Sequence, residues 1–305
     1  MNAHEAHFAT RLEAAVLRTG TPVIAGIDPD IHQLPEAFKP ESNSAAAWAP
    51  KVRAFCSEVL AAVADLVPLV KFQSAYFEQL GPAGVGVLGE LMVEAKQRGL
   101  LVILDVKRGD IGSTSSAYAE AYLNPHALSG MGADAITLAP YMGTDSLQPF
   151  VDAAKKYGSG LFVCVKTSNP GSKDLQDQPL GSGELVYARV ANFLRPLAES
   201  LTGASGWSSL GAVVGATFPQ AAAELRGLLP RSTFLVPGIG AQQGEIASLK
   251  NFFDAEGRGA LVSSSRAIIF PHRFKDKPAW SREAVRRAAA DTITDVRQHV
   301  AIARP

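Results

Sequence analysis

Short apolar runs alternate with segments of helical periodicity along almost the whole chain of 305 residues. Each run is bounded by turn residues and is too short for a helix, which is typical of the buried strands of a parallel sheet. The runs therefore predict eight strands, at residues 22–29, 69–73, 101–107, 135–140, 161–167, 210–217, 233–239 and 259–266.

Helical periodicity fills the spaces between the predicted strands. The clearest helical segments are residues 50–66, 86–98, 183–201, 220–229 and 244–255. A last helix is predicted over residues 282–302, with Ser281 as its N-cap and with Val285, Ala289 and Val300 on one buried face.

Strand-then-helix units repeated eight times favour the α/β class and a closed (β/α)8 TIM barrel, with an open doubly wound sheet as the alternative. We predict one domain over residues 1–305, because no low-complexity linker or break in composition divides the chain. Two polar irregular segments, residues 31–49 and 168–182, each follow a strand, and barrels keep their active sites on that side.

Composition and charge exclude several kinds of partner. Lys plus Arg and Asp plus Glu number 29 each, so no overall field attracts nucleic acid or an anionic membrane. An anionic ligand must therefore be bound by a local group of residues. The two cysteines, Cys56 and Cys164, lie in apolar contexts and indicate a reducing compartment. With no signal-peptide pattern and no membrane-spanning apolar run, a cytoplasmic location is expected.

The most informative stretch is residues 105–114, Asp-Val-Lys-Arg-Gly-Asp-Ile-Gly-Ser-Thr. An apolar strand runs directly into Asp105, and the two-residue period of a strand places Asp105 and Lys107 on the same face. Fold stability gives no reason to point both charges into one cavity. A solvated charge cluster beside a glycine turn is the plain alternative.

Other unusual polar residues also fall at or near the carboxyl ends of predicted strands, as expected for one active site: Asp28, Lys71, Thr167, Ser168 and Arg266. Lys71 lies within an apolar run, and a lysine there is seldom buried without a partner. Asp105 and Asp110 are its candidate counterions. The alternatives are a lysine that reaches solvent at a strand edge and, for Asp28, a simple Asx turn.

A phosphate site is predicted where strands seven and eight end. The sequence Pro-Gly-Ile-Gly-Ala-Gln at 237–242 exposes main-chain N–H groups, and strand eight ends in three serines followed by Arg266. Barrels commonly bind phosphate at these two loops. No spacing of histidines and cysteines resembles a zinc site, and the first residues, with His4 and His7, are expected to be mobile.

Taken together, these motifs resemble the orotidine 5′-phosphate decarboxylase family, in its longer, second-type branch. The resemblance runs in order from about residue 22 to residue 269 and rests on residues 26–29, 70–73, 105–114, 167–171, 214–217, 237–242 and 264–268. One departure is Ser263, where that branch often has Asn.

The resemblance implies decarboxylation of orotidine 5′-phosphate to uridine 5′-phosphate, the last step of de novo UMP synthesis, with no metal and no cofactor. It implies a charged catalytic network of Lys71, Asp105, Lys107 and Asp110 in which Lys107 donates a proton to C6. It also implies a homodimer in which Asp110 and Thr114 serve the neighbouring site. The substrate-binding residues implied are Asp28, Thr114, Ser168, Gln242 and Arg266.

Three alternatives remain open from the residues alone. The first is a magnesium-dependent phosphosugar aldolase or decarboxylase on the same barrel, with a similar Asp-x-Lys motif. The second uses Lys166 as a Schiff-base nucleophile, although Lys166 is out of phase with Val165 and Thr167. The third is a catalytically silent barrel that binds a phosphorylated ligand or serves as an interaction scaffold.

Overall fold

A parallel β-barrel forms the centre of the protein, in a computed structural model that describes residues 7–238, 246–274 and 279–300. The eight strands of the described residues close in sequence order, because β8 pairs with β1 through Val23 and Val262. The predicted TIM barrel is therefore confirmed. The strands are β1 (Val23–Ile27), β2 (Leu69–Gln73), β3 (Leu101–Arg108), β4 (Ala135–Leu138), β5 (Gly160–Lys166), β6 (Ser208–Val214), β7 (Ser232–Val236) and β8 (Ala260–Ser264).

The strands coincide with the predicted runs, but several end earlier than predicted. β8 ends at Ser264, and Arg266 is the first residue of a short helix rather than the last residue of a strand. The predicted end of β7, at residue 239, lies outside the described residues.

Helices surround the barrel, and one more lies at its amino-terminal end. They are α1 (Phe8–Thr19), α2 (Ala45–Val63), α3 (Ala75–Glu78), α4 (Gly81–Gln97), α5 (Gly112–Leu123), α6 (Thr144–Tyr157), α7 (Val186–Ser200), α8 (Pro219–Leu228), α9 (Arg266–Ile269) and α10 (Arg282–Arg297). Short 3-10 helices cover Glu36–Phe38, Pro170–Asp174, Ile246–Phe252 and Pro271–Arg273. In the described part of the chain, no helix is long and apolar enough to span a membrane.

Some helix predictions were wrong in their bounds. α2 begins at Ala45, because the side chain of Ser44 caps it by accepting the N–H of Ala47, and Pro50 lies inside the helix. Residues 45–49 were predicted to be irregular. In the segment 244–255, residues 246–252 form a 3-10 helix instead of an α-helix. α10 has the predicted Ser281 cap, but it ends at Arg297.

The sequence analysis missed α1, which lies against the amino-terminal end of the barrel. The ring of Phe8 meets the ring of Phe162 edge to face, with centroids 6.1 Å apart. Gly160 leaves room for Phe8, because an added Cβ would lie 2.3 Å from that ring. His7, which was expected to be mobile, hydrogen-bonds the carbonyl oxygen of Leu201 at 2.7 Å. His4 lies outside the described residues.

The barrel interior is filled by an apolar layer to which every strand contributes one side chain. Its members are Ile24, Leu69, Ile103, Ala135, Phe162, Val213, Leu235 and Leu261. Side chains on a strand return to the same face every second residue. Lys71, Asp105, Thr137 and Cys164 each follow a member of this layer by two residues. The next layer toward the carboxyl ends of the strands is therefore polar on one side.

Truncation of Phe8 should destabilise the protein, because α1 packs this ring into the end of the barrel. We expect Phe8→Ala to lower the free energy of unfolding by about 3 kcal/mol, the usual scale for a buried phenylalanine. Urea denaturation monitored by circular dichroism measures the change. Leu128→Ala is the control, because Leu128 is fully exposed. Equal stability of the two variants would contradict this role of α1.

Candidate active site

The carboxylate of Asp105 is the centre of the polar layer. Its Oδ2 accepts hydrogen bonds from Lys71 Nζ and Gln73 Nε2, both at 3.0 Å. Its Oδ1 accepts from Lys107 Nζ at 2.6 Å and from Thr137 Oγ1 at 2.7 Å. Burial alone would raise the pKa of Asp105, but the two ammonium groups and these hydrogen bonds hold it well below its usual range. Asp105 is therefore ionised at neutral pH.

Lys71 is buried beneath the open end of the barrel, and its side chain is 8% exposed. Its Nζ also faces Asp28, whose Oδ1 lies 3.8 Å away. Burial acts to lower the pKa of Lys71, but Asp105 and Asp28 outweigh it and the pKa lies above its usual range. The alternative that Lys71 reaches solvent at a strand edge is therefore wrong.

Lys107 differs from Lys71 in exposure and in main-chain geometry. Its side chain is 48% exposed at the carboxyl end of the barrel, so its ammonium can contact a ligand. Among the non-glycine residues described, Lys107 alone has a positive φ, of 44°. This left-handed conformation is unfavourable for a residue with a Cβ and often marks functional sites. The main-chain conformation thus directs the Lys107 side chain toward the open end of the barrel, and it lowers the stability of the fold.

Two other residues of the motif have structural tasks. The guanidinium of Arg108 lies over the rings of Tyr118 and Tyr122, at 5.6 and 5.8 Å, and pairs with Glu78 at 3.0 Å. Arg108 thereby ties the end of β3 to the helices outside the barrel. Gly109 passes close to β4, since an added Cβ would lie 2.8 Å from the carbonyl oxygen of Ala139.

Asp110 and Thr114 lie outside the charged network of their own chain. Asp110 Oδ1 accepts the N–H of Ile111 at 2.7 Å, and among the described contacts Asp110 forms no ion pair with Lys71 or Lys107. Thr114 is exposed on the first turn of α5. The structure therefore joins three of the four predicted catalytic residues and leaves Asp110 apart.

Asp28 carries an oxygen that suits a ligand hydroxyl. Within the described residues, its Oδ1 is buried and has no hydrogen-bond partner. Buried polar atoms are nearly always satisfied, so an acceptor of this kind calls for an explanation. β1 and β8 approach closely here, because a Cβ on Gly26 would lie 2.7 Å from Ser265 Cβ. Arg266, the next residue, is exposed on this side of the barrel. Gln242 lies outside the described residues.

Ser168 is held by the end of β6. Thr217 donates its hydroxyl to the carbonyl oxygen of Ser168 at 3.3 Å. An added Cβ on Gly215 would lie 2.6 Å from Ser168 Cα, so only glycine allows this approach. Gln176, from the same loop, accepts the N–H of Thr167 and donates to its hydroxyl, at 2.9 and 2.8 Å. The loop after β5 is therefore ordered by its own polar side chains.

Lys166 does not join the charged network. Its Nζ pairs with Asp177 at 2.7 Å and lies 4.0 Å from the centre of the Phe218 ring, and its side chain is 1% exposed. A bulge between Cys164 and Lys166 changes the strand phase here. Lys166 is thus a buried anchor of the loop after β5, and nothing in its surroundings supports a Schiff-base nucleophile.

Two contributors to the site were missed by the sequence analysis. Gln73 stood in a quoted motif without a role, and Thr137 was not singled out. The signal for Thr137 was its place two residues after Ala135 in a predicted strand, on the same face as the apolar layer. In the ranges that the structure describes, no group of three His, Cys, Asp or Glu side chains is placed to hold a metal.

The chain is similar to proteins of one known family along most of its length. The model of the Orotidine 5′-phosphate decarboxylase / HUMPS family matches residues 21–270. A protein of Rhodopirellula baltica named orotidine 5′-phosphate decarboxylase is 47% identical over 295 residues, which cover 92% of this chain and 96% of the relative. A protein of the same name from Caldicellulosiruptor bescii is 39% identical over 277 residues, covering 88% and 90%.

Solved structures named as orotidine 5′-phosphate decarboxylases also match the chain. Leishmania donovani OMP decarboxylase matches with a TM-score of 0.73 and 32% identity, covering 96% of this chain and 98% of that one. A Streptomyces avermitilis structure assigned to the same enzyme has a TM-score of 0.81 and 36% identity, covering 97% and 96%. The resemblance seen in the sequence is confirmed, and the chain belongs to the orotidine 5′-phosphate decarboxylase / HUMPS family.

Proposed function

We propose that this protein decarboxylates orotidine 5′-phosphate to uridine 5′-phosphate and CO2, the last step of de novo UMP synthesis. The observation that carries the proposal is the Asp105 carboxylate held between Lys71 and Lys107 at the open end of the barrel. The compared relatives with the highest identity carry the decarboxylase name over nearly their full length. No feature described above favours the phosphosugar enzyme or the silent barrel.

The chemistry demands a fixed cation. When the bond between C6 and the carboxylate breaks, its electron pair stays on C6, and the pyrimidine offers no ordinary electron sink. An ammonium beside C6 stabilises that charge and then transfers a proton to it. Lys107 fits this task, because it is the more exposed of the two lysines that contact Asp105. The neutral amine left on Lys107 regains a proton from solvent.

Asp105 and Lys71 support Lys107 in this scheme. The 2.6 Å bond from Lys107 Nζ to Asp105 Oδ1 orients the ammonium. Lys71 holds the other carboxylate oxygen, so the carboxylate cannot rotate freely. A preorganised group of this kind does not reorganise when charge develops.

The remaining predicted residues bind the substrate. Asp28 would accept a ribose hydroxyl with its buried Oδ1, which lies 3.8 Å from Lys71 Nζ and accepts no hydrogen bond from the described residues. Ser168 would contact the pyrimidine, while Arg266 and Gln242 would hold the 5′-phosphate. The phosphate is remote from C6, so its binding energy can drive closure of the loops around the site and raise turnover as well as affinity.

We further propose a homodimer in which Asp110 and Thr114 complete the neighbouring site. Asp110 makes no described contact with its own charged network, and three large apolar side chains are exposed in the segments that follow β3 and β4. Ile111, Tyr141 and Met142 are 60%, 83% and 49% exposed. β3 and β4 are neighbouring strands, and exposed apolar side chains on adjoining segments are a common mark of a protein interface.

Replacement of Lys107 tests the chemistry. Lys107→Ala removes the cation and the proton donor, so kcat should fall by about a thousand-fold or more, while uridine 5′-phosphate still binds. Loss of the orotate absorbance measures kcat. Lys155→Ala, an exposed lysine near the end of α6, is the control. More than about a tenth of wild-type turnover in Lys107→Ala would remove Lys107 from this role.

Activity should also survive exhaustive chelation, and strict dependence on added magnesium would favour the phosphosugar enzyme.

Arg266→Ala should act mainly on binding. We expect a large rise in KM for orotidine 5′-phosphate and a smaller fall in kcat, because phosphate contacts also drive closure. Arg231→Ala is the matched control, since Arg231 is exposed just before β7, at the opposite end of the barrel. An unchanged KM in Arg266→Ala would exclude Arg266 from the phosphate site.

Mixed dimers test the shared site. Lys107→Ala and Asp110→Ala homodimers should both be nearly inactive. After the two are unfolded and refolded together, random pairing leaves about a quarter of all sites with neither substitution. Activity should rise from near zero to about that fraction of wild type. A refolded mixture as inactive as its parents, beside a wild-type control that refolds well, would show that Asp110 does not serve a partner's site.

A further inference from the structure

We infer that Thr137 is a positioning residue, which holds the carboxylate of Asp105 and the main chain of Lys107 in one fixed geometry. This inference rests on the proposed decarboxylation and adds to it a residue that lies on β4, the strand next to β3. Thr137 is 1% exposed. It therefore acts on the reaction through its neighbours.

The Thr137 hydroxyl makes two hydrogen bonds of opposite sense. It donates to Asp105 Oδ1 at 2.7 Å and accepts the N–H of Lys107 at 3.0 Å. A carboxylate can only accept and a main-chain N–H can only donate, so a group placed between them must do both. A hydroxyl meets this requirement. Valine has nearly the same shape as threonine but can do neither.

The local strand pairing explains why the N–H of Lys107 needs this acceptor. Leu104 of β3 lies opposite Ile136 of β4, and Arg108 lies opposite Leu138. Three residues of β3 therefore face Thr137 alone, which is the irregularity of a β-bulge. Bulged residues lose regular ladder partners, and Lys107 has in addition the left-handed φ of 44°. The Thr137 hydroxyl takes the place of the missing main-chain acceptor.

These contacts form a closed ring that fixes both ends of Lys107. The main-chain N–H is bound to Thr137, Thr137 is bound to Asp105 Oδ1, and the same Oδ1 is bound to Lys107 Nζ. Loss of the hydroxyl breaks two of the three bonds in the ring. A displacement of about 1 Å at a reacting group can cost about a hundred-fold in rate.

Thr137→Val is the test, with Thr137→Ser as the conservative variant that keeps the hydroxyl. For Thr137→Val we expect kcat to fall by about 10- to 100-fold, with KM and the Kd for uridine 5′-phosphate within about three-fold of wild type. Thr137→Ser should retain kcat within about three-fold of wild type. The split between kcat and KM separates positioning from a general loss of structure, which would move both.

Thr21→Val is the matched control. Thr21 is fully buried before β1, at the other end of the barrel, and its hydroxyl also accepts a main-chain N–H, that of Val23 at 3.1 Å. Both valine variants remove one such bond, so thermal melting shows whether they are equally folded. Thr21→Val should keep wild-type kcat. If Thr137→Val does not fold, Thr137→Ala replaces it, and its kcat is compared with that of Thr137→Ser.

The outcomes are distinct. Wild-type kcat in folded Thr137→Val, a parallel rise in KM, or equal kcat in the alanine and serine variants would overturn the role of Thr137. Each of these results requires an active wild-type enzyme. If the wild-type protein itself fails to decarboxylate orotidine 5′-phosphate, it is the proposed function that is wrong.

Discussion

The candidate active site depends on one buried carboxylate that two lysines share. Asp105 accepts four hydrogen bonds, and two of its four donors are ammonium groups. A buried ion pair is costly to form and more costly to break, because removal of one partner leaves an uncompensated charge. The Asp105 carboxylate therefore keeps Lys71 in the interior and keeps Lys107 pointed at the mouth of the barrel. The positions of both cations follow from this one anion.

The barrel supplies the frame for this arrangement through the two-residue period of its strands. Below the charges, one apolar side chain from each strand fills the interior of the barrel. One step higher, Lys71, Asp105 and Thr137 converge from three neighbouring strands. At the other end, Phe8 packs against Phe162 and closes the barrel. The close-packed apolar layer gives the polar layer above it a rigid base.

The sequence predicted the barrel from strand periodicity, and the same periodicity placed Asp105 and Lys107 on one face of β3, while the roles given to the site residues came from the resemblance to the family. Asp105 and Lys107 were recognised in the sequence because they are charged residues at the end of an apolar run. Thr137 gave no such sign, since a threonine is common in strands and its role arises from a bulge in the neighbouring strand. Arg266 was placed on a strand because the turn after Ser264 follows from packing and not from the local pattern. The same is true of α1, whose apolar face is needed only against the closed barrel.

Two lysines bound to one carboxylate have different environments and therefore different tasks. Lys71 faces both Asp105 and Asp28, is 8% exposed, and has a raised pKa, so it is a fixed positive charge. Lys107 has one carboxylate partner among the described residues and is 48% exposed, so its ammonium can also contact a bound anion. In enzymes, two side chains of the same type often take different roles because their surroundings differ. In the proposed mechanism, Lys71 therefore fixes the carboxylate, and Lys107 is the lysine that acts on the substrate.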